Sequence, residues 1–209
     1  MGEAGTLKPG ERRSAGAIPQ RRIPQDWPAD RRLRILAIDG GGIRGIFPAA
    51  VLAELERRYT GGRSVGEFFD LIAGTSTGGI LALGLGAGKT AADILNLYVQ
   101  RGSEVFPPLA ENLWGRAKGL WRDGFHYVRH RYDRKGLEIV LTDCLEGRLF
   151  GESKRRLVIP AFEGRHSEVF VFKTPHHPDY KYDRHERMIT VGLATAAAPA
   201  YYRPLEHGG

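Results

Sequence analysis

A chain of 209 residues, 42% hydrophobic and 26% charged, is long enough for one domain with a sizeable core and short for two, and its composition points to a globular protein. The single cysteine, Cys144, excludes an internal disulfide framework and a multi-cysteine zinc site. The net charge of +7 suits nucleic acid or an anionic membrane surface, but the basic residues are spread over "ERRSAGAIPQRRIPQDWPADRRLR" and "WGRAKGLWRDGFHYVRHRYDRK" instead of forming one block. No basic start followed by an apolar run marks a secretory signal, so a cytoplasmic location is expected. "MGEAGT" meets the loose myristoylation pattern through Gly2 and Thr6, a pattern short enough to arise by chance.

Residues 1–30, rich in Gly, Pro, Arg and Gln, read as a flexible basic arm, and residues 31–209 as one domain. Ile35-Leu36-Ala37-Ile38 is predicted as a strand buried on both faces. Phe47, Val51, Leu52, Leu55 and Tyr59 then recur at helical spacing, with Pro48 in the first turn and Gly61-Gly62 as the stop. "FDLIAG" is a second strand that leads through a serine turn into a helix; this stretch between Asp70 and Lys89 is uncharged, yet too rich in Gly, Ser and Thr for a membrane span. "TAADILNLYVQRG" is a helix with Thr90 and Asp93 placed as a capping box and Gly102 as its stop. Residues 103–134 read as an irregular cap or lid in which Trp114, Trp121, Phe125 and Tyr127 interleave with basic residues. A helix "KGLEIVLTDCLEG", strands "RRLVIPAF" and "SEVFVFK", and a small-residue helix "RMITVGLATAAAPA" complete the chain. Strands alternating with helices predict an α/β fold with a largely parallel sheet.

Two glycine turns carry the chemistry. In "DGGGIRG", Gly40, Gly42 and Gly45 satisfy G-x-G-x-x-G between a strand and a helix, which admits a dinucleotide-binding module. Against it, Asp39 would face the pyrophosphate and no acidic residue ends the next strand; the same glycines can instead present N–H groups to a developing oxyanion. In "GTSTG", Gly74, Ser76 and Gly78 match G-x-S-x-G, a sharp strand-to-helix turn that lifts Ser76 above the sheet as a nucleophile. The Thr77 N–H, with Gly41 and Gly42, would form the oxyanion hole. "GLGAGKT" is one residue too short for a P-loop. His126 and His130 have metal-ligand spacing without a third ligand, "HHPD" (176–179) reads as a polar loop, and Cys144 as core.

The stretches "ILAIDGGGIRGIFPAAVLAELE", "FDLIAGTSTGGILALGLG" and "LATAAAPAYYRP" resemble the patatin-like phospholipase family, its bacterial branch in particular. The resemblance implies a lipid acyl hydrolase on a three-layer α/β/α sandwich, using a Ser–Asp dyad with no histidine, no metal and no cofactor. By it, Ser76 is the nucleophile, Gly41, Gly42 and the adjoining turn form the oxyanion hole, and Arg44 shapes or polarises that loop. It implies a phospholipid or other acyl-ester lipid substrate, transient contact with a membrane surface and no nucleic acid; some bacterial members are membrane-degrading effectors in phage defence, switched on by a cyclic nucleotide. The family's base is an aspartate in a "DGG" or "DGA" motif after the "ATAAAPAYYRP" segment, whereas the "DGG" here is Asp39-Gly40-Gly41 and the last residues, "HGG", put His207 in that place. Three readings stay open: a fragment that stops before the aspartate, His207 as the base, or an α/β-hydrolase triad ordered Ser76, Asp183, His207. A folded lipid-binding remnant without activity is the remaining class.

Overall fold

Four strands form one mixed sheet in the order β1–β2–β3–β4. Strand β1 (Ile35–Ile38) runs parallel to β2 (Leu71–Gly74), in register from Ile35 opposite Leu71 to Ile38 opposite Gly74, and β2 runs parallel to β3 (Arg156–Glu163) as far as Ala73 opposite Val158. Strand β4 (Glu168–Lys173) closes back on β3 as an antiparallel hairpin. In this computed structural model residues 27–105, 134–197 and Leu205 are described. Residues 1–26, the cap residues 106–133 with Trp114, Trp121, Phe125, His126, Tyr127, Arg129, His130 and Arg131, the end of the last predicted helix from Ala198 on, His207 and Gly209 lie outside them.

The helices are α1 (Ile46–Leu55), α2 (Thr77–Gly86), α3 (Ala91–Val105), α4 (Arg134–Leu145) and α5 (Met188–Ala196). Every residue of α2 is buried, as a sequence of apolar residues and glycines after Thr77 requires. It lies across β1, β2 and β3 and packs beside α5, while α3 contacts α1 and α4. Leu81, Leu83 and Leu85 of α2 join Ile72, Leu157 and Ile159 of the sheet, Leu141 and Leu145 of α4 and Val191 of α5 in one core. Cys144 belongs to that core, and burial pushes its thiol up to about 11, so it is no nucleophile at neutral pH. Among the described residues no helix is long and apolar enough to cross a membrane.

Three expectations need correction. Strand β1 is not buried on both faces: Ile38 is buried, but Ile35 (58%) and Ala37, which share the opposite face, are exposed, so that face of β1, at the edge of the described sheet, is left uncovered. Helix α1 turns Ala49 and Leu52 inward, while Phe47 (73%), Val51, Leu55 and Tyr59 (74%) stay exposed. The apolar spacing was real, but α1 is apolar nearly all round, so spacing alone does not choose which row turns inward. Gly102 does not stop α3, which runs on to Val105; the glycine is buried where a Cβ would stand 3.3 Å from Ile43 Cδ1. The capping box at its start is present, with Asp93 N–H donating to Thr90 Oγ1 (3.0 Å) and Thr90 N–H to Asp93 Oδ2 (3.1 Å).

A carboxylate joins α1 to α3. The helix loosens into a π turn (Glu56–Thr60) that ends on Gly61 with φ 64°. Glu56, only 3% exposed, accepts the N–H groups of Val65 (2.8 Å) and Ala91 (2.8 Å) on Oε1 and of Ala92 (3.1 Å) on Oε2.

Beneath the starts of β2 and β3, Arg31 forks onto Asp70 with two bonds of 2.7 Å, and hydrogen bonds from Arg31 and the Arg34 N–H hold the Asp70 carboxyl down at about 2. The Arg156 guanidinium lies 3.9 Å from the centre of the Trp27 ring, which meets His176 edge-on at 5.9 Å. His176 is therefore not part of a free polar loop. Burial first, then the positive charge of Arg156, His177 and Lys173, pushes its imidazole from 6.5 down to about 4. The unfolded chain takes up a proton that the folded protein refuses, so this contribution to stability is complete above pH 6.5 and falls as the pH drops from there to about 4. The Tm of the wild type should drop by a few degrees more across that window than the Tm of His176→Gln. Parallel curves for the two proteins would show that His176 is not the titrating group.

Candidate active site

Both glycine turns stand at the carboxyl ends of neighbouring parallel strands, where an open α/β sheet offers its crevice. Between β2 and α2 the chain reverses at Ser76, which adopts φ 55° and ψ −125°. Such a backbone costs a non-glycine residue about 1–3 kcal/mol and persists only where the surroundings enforce it. The enforcing contacts are specific. Thr75 N–H donates to Ile38 O (3.3 Å), Gly78 N–H to Thr75 O (3.0 Å) and Ile80 N–H to Ser76 O (3.0 Å). Ser76 N–H itself donates to Thr195 Oγ1 of α5 (2.9 Å), and the Thr195 hydroxyl in turn donates a hydrogen bond to Pro160 O of β3 (2.6 Å).

Glycine is required here for close approach. A Cβ at Gly78 would sit on the Ile38 carbonyl oxygen and 2.7 Å from the Asp39 oxygen, and one at Gly74 would sit on the Gly78 carbonyl. The "DGGGIRG" turn leans on the serine turn in the same way. A Cβ at Gly40 would stand 2.8 Å from Ser76 Cβ, and one at Gly45 would stand 2.9 Å from Thr77 Cβ. Gly42–Gly45 form one 3-10 turn, Arg44 N–H donates to Gly41 O (3.2 Å), and the Arg44 residue is exposed. Every glycine singled out in the two motifs is thus brought against Ser76 or Thr77 or into the turn beside them.

The amides differ in their availability. Gly41 N–H donates to Thr77 Oγ1 (3.1 Å), so the threonine side chain occupies one of the three donors expected for an oxyanion. Thr77 N–H is the first of α2, and helices leave their first N–H groups unpaired. Gly42 likewise opens its turn. Tyr98 of α3 donates to Thr77 O (3.3 Å), and its hydroxyl stands beside Gly45, so it braces both turns from the side of α3. Tyr98 lies in no motif, and Thr195, although inside the "LATAAAPAYYRP" stretch, has no spacing that ties it to Ser76; each reaches the site from another helix.

Among the described residues no side chain is hydrogen-bonded to the Ser76 hydroxyl. Asp183, the middle member of the triad reading, lies at the β4 side of the sheet, two strands from β2, and its Oδ2 accepts Lys173 N–H (2.7 Å). Burial raises its carboxyl. The "GLGAGKT" stretch offers no phosphate cradle, because Glu56 already fills the start of α3 and Lys89 pairs with Glu146 at 2.6 Å. Glu163, His166 and Glu168 bring ligand atoms within 4.8 Å of one another at the β3–β4 turn, but Glu163 is engaged by the N–H groups of Arg165 and His166 and by His166 Nδ1 (2.6 Å). That arrangement closes the hairpin turn.

A strained serine between glycines, capped by a second glycine turn on a mostly parallel sheet, defines an α/β arrangement of the nucleophile-elbow type. The chain belongs to the patatin-like phospholipase family, matching the description "Patatin-like phospholipase" over residues 36–209. Over 168 residues it is 42% identical to a "cGAMP-activated phospholipase" of Pseudomonas aeruginosa (strain BWHPSA011 / Pa011), covering 80% of this chain and 47% of that protein. Over 180 residues it is 37% identical to a "cGAMP-activated phospholipase" of Vibrio cholerae serotype O1 (strain ATCC 39315 / El Tor Inaba N16961), covering 83% and 50%. The chain spans about half the length of these curated relatives. Among solved structures, VipD from Legionella pneumophila aligns with a TM-score of 0.44 and 15% identity over 84% of this chain and 44% of that one.

Proposed function

We propose that the protein is a phospholipase of the acyl-hydrolase type, with Ser76 as its nucleophile. The observation that carries this reading is the backbone of Ser76, held at φ 55° at the head of α2 against a second glycine turn, in a chain of the patatin-like family. Ser76 Oγ gives up its proton and attacks the ester carbonyl of a phospholipid. The amides of Gly42 and Thr77 receive the oxyanion, and Gly41 joins them when Thr77 Oγ1 releases it. Collapse of the tetrahedral intermediate breaks the ester bond, the lysophospholipid leaves with a proton, and water then cleaves the acyl-enzyme to free the fatty acid and restore Ser76. The base of such a dyad is an aspartate of the "DGG" or "DGA" type. In the "DGG" of this sequence, Asp39 belongs to the oxyanion turn, and His207 is the alternative.

The substrate is a phospholipid or another acyl-ester lipid, met through transient contact with the membrane surface, with no cofactor. The names of the two bacterial relatives support activation by a cyclic dinucleotide. The domain is assigned to residues 31–209, preceded by the arm 1–30. A second reading, a folded lipid-binding domain without turnover, draws on the absence of a partner for the Ser76 hydroxyl among the described residues and on the occupied Gly41 amide. Fluorophosphonate labelling and fatty-acid release from phospholipid vesicles, each with and without a cyclic dinucleotide, decide between them. Labelling at Ser76 with release of fatty acid is expected. A folded protein that binds vesicles but neither labels nor hydrolyses would establish the second reading.

A further inference from the structure

We infer that Thr195 is a positioning residue for the Ser76 nucleophile, its hydroxyl holding the serine's own backbone in the strained turn; the inference rests on the reading of Ser76 as nucleophile. Of the hydrogen bonds described around the turn, that from Ser76 N–H to Thr195 Oγ1 (2.9 Å) comes from a side chain 119 residues further along the chain. Three more are backbone bonds made by Thr75, Gly78 and Ile80 within the strand–turn–helix unit and its neighbour β1, and two reach Thr77, from Gly41 N–H to its Oγ1 and from the Tyr98 hydroxyl to its carbonyl oxygen, neither of them on Ser76 itself.

The polarity of the Thr195 hydroxyl is defined by its second bond. Its proton goes to Pro160 O at 2.6 Å, which leaves an oxygen lone pair for the Ser76 amide. That carbonyl is available because the parallel ladder between β2 and β3 stops at Ala73 and Val158, two residues before Pro160. Thr195 thus fills the place where the two strands part, and couples the serine turn to β3. Its methyl group is also fixed. A Cβ at Gly79 would stand 2.9 Å from Thr195 Cγ2, so the glycine in the first turn of α2 makes room for that methyl. Hydroxyl and methyl are therefore both placed, in a residue only 6% exposed.

Replacing hydroxyl by methyl tests the hydrogen bonds at constant shape. In Thr195→Val, Ser76 N–H and Pro160 O lose their shared partner while the contact with Gly79 is kept. In Thr195→Ser, both bonds are kept and the methyl contact is lost. A displacement of the nucleophile by about 1 Å lowers reactivity on the order of 100-fold without changing how substrate is bound. Thr195→Val should therefore lower kcat on phospholipid vesicles, and the rate of fluorophosphonate acylation, by about 10- to 100-fold with KM unchanged. Thr195→Ser should stay within a few-fold of the wild type. A purely structural role would instead make both rates follow Tm across the variants.

If Thr195→Val does not fold, Thr195→Cys against Thr195→Ser makes the same comparison, since sulfur accepts hydrogen bonds weakly. Acylation several-fold or more slower in the cysteine variant is expected. Equal rates in a folded Thr195→Val, or in the cysteine and serine variants, would overturn the positioning role alone. A wild-type protein whose Ser76 is not acylated at all would overturn it together with the reading on which it rests.

Discussion

Ser76→Ala is expected to abolish ester hydrolysis and fluorophosphonate labelling while leaving the fold intact. Removing the nucleophilic oxygen of a serine hydrolase lowers kcat by about 10⁴-fold or more, because the remaining machinery only binds substrate and its oxyanion. The substitution deletes one polar atom and keeps Cβ, so the bonds from Ser76 N–H to Thr195 and from Ile80 N–H to Ser76 O persist. Circular dichroism and Tm should match those of the wild type to within a few degrees. Alanine must still adopt φ 55°, so any small change in stability reports the altered turn and does not bear on the chemistry. Turnover that survives this substitution in the purified protein would remove Ser76 from the mechanism and reopen the reading of the "DGGGIRG" turn as a nucleotide cradle.

Gly78→Ala should cost the protein both its stability and its reactivity. The added methyl would fall on the carbonyl oxygen of Ile38 and within 2.7 Å of the Asp39 oxygen. Both are backbone atoms at the end of β1, so relief requires α2 to move away from the sheet. Overpacking of this kind costs about 3 kcal/mol, which for a chain of this length lowers Tm by roughly 6–12 °C. The same movement separates the two glycine turns, and labelling of Ser76 should fall even at temperatures where the variant stays folded. Gly164→Ala is the matched control: nothing lies within 4 Å of the added Cβ, and its effect should stay within about 0.5 kcal/mol. A Gly78→Ala protein as stable and as reactive as the wild type would mean that the turns are not in the close contact described.

What the sequence disclosed was local. The turns at Gly40–Gly45 and Gly74–Gly78 were legible because strand, glycine turn and helix follow one another within a dozen residues, although the close approaches that require Gly40, Gly45 and Gly78 are to the facing turn and not to their own. The Thr90–Asp93 cap was legible for the same reason. Periodicity did not decide which of two apolar rows of α1 faces inward, since Phe47, Val51 and Leu55 suit a buried face as well as Ala49 and Leu52 do. Nor did the run at Ile35–Ile38 reveal that β1 lies at an edge, which depends on the strands beside it. Thr195, Tyr98 and Glu56 act across 119, 21 and 35 residues respectively, and no spacing rule reaches that far.

Glu56 also sets which parts of the molecule open together. The amides of Val65 and Ala91 share one carboxylate oxygen and that of Ala92 takes the other, so none of the three is released while Glu56 stays in place. The amides of Val65, Ala91 and Ala92, neighbours only in space, are therefore expected to exchange together in native-state hydrogen exchange, with one shared opening free energy.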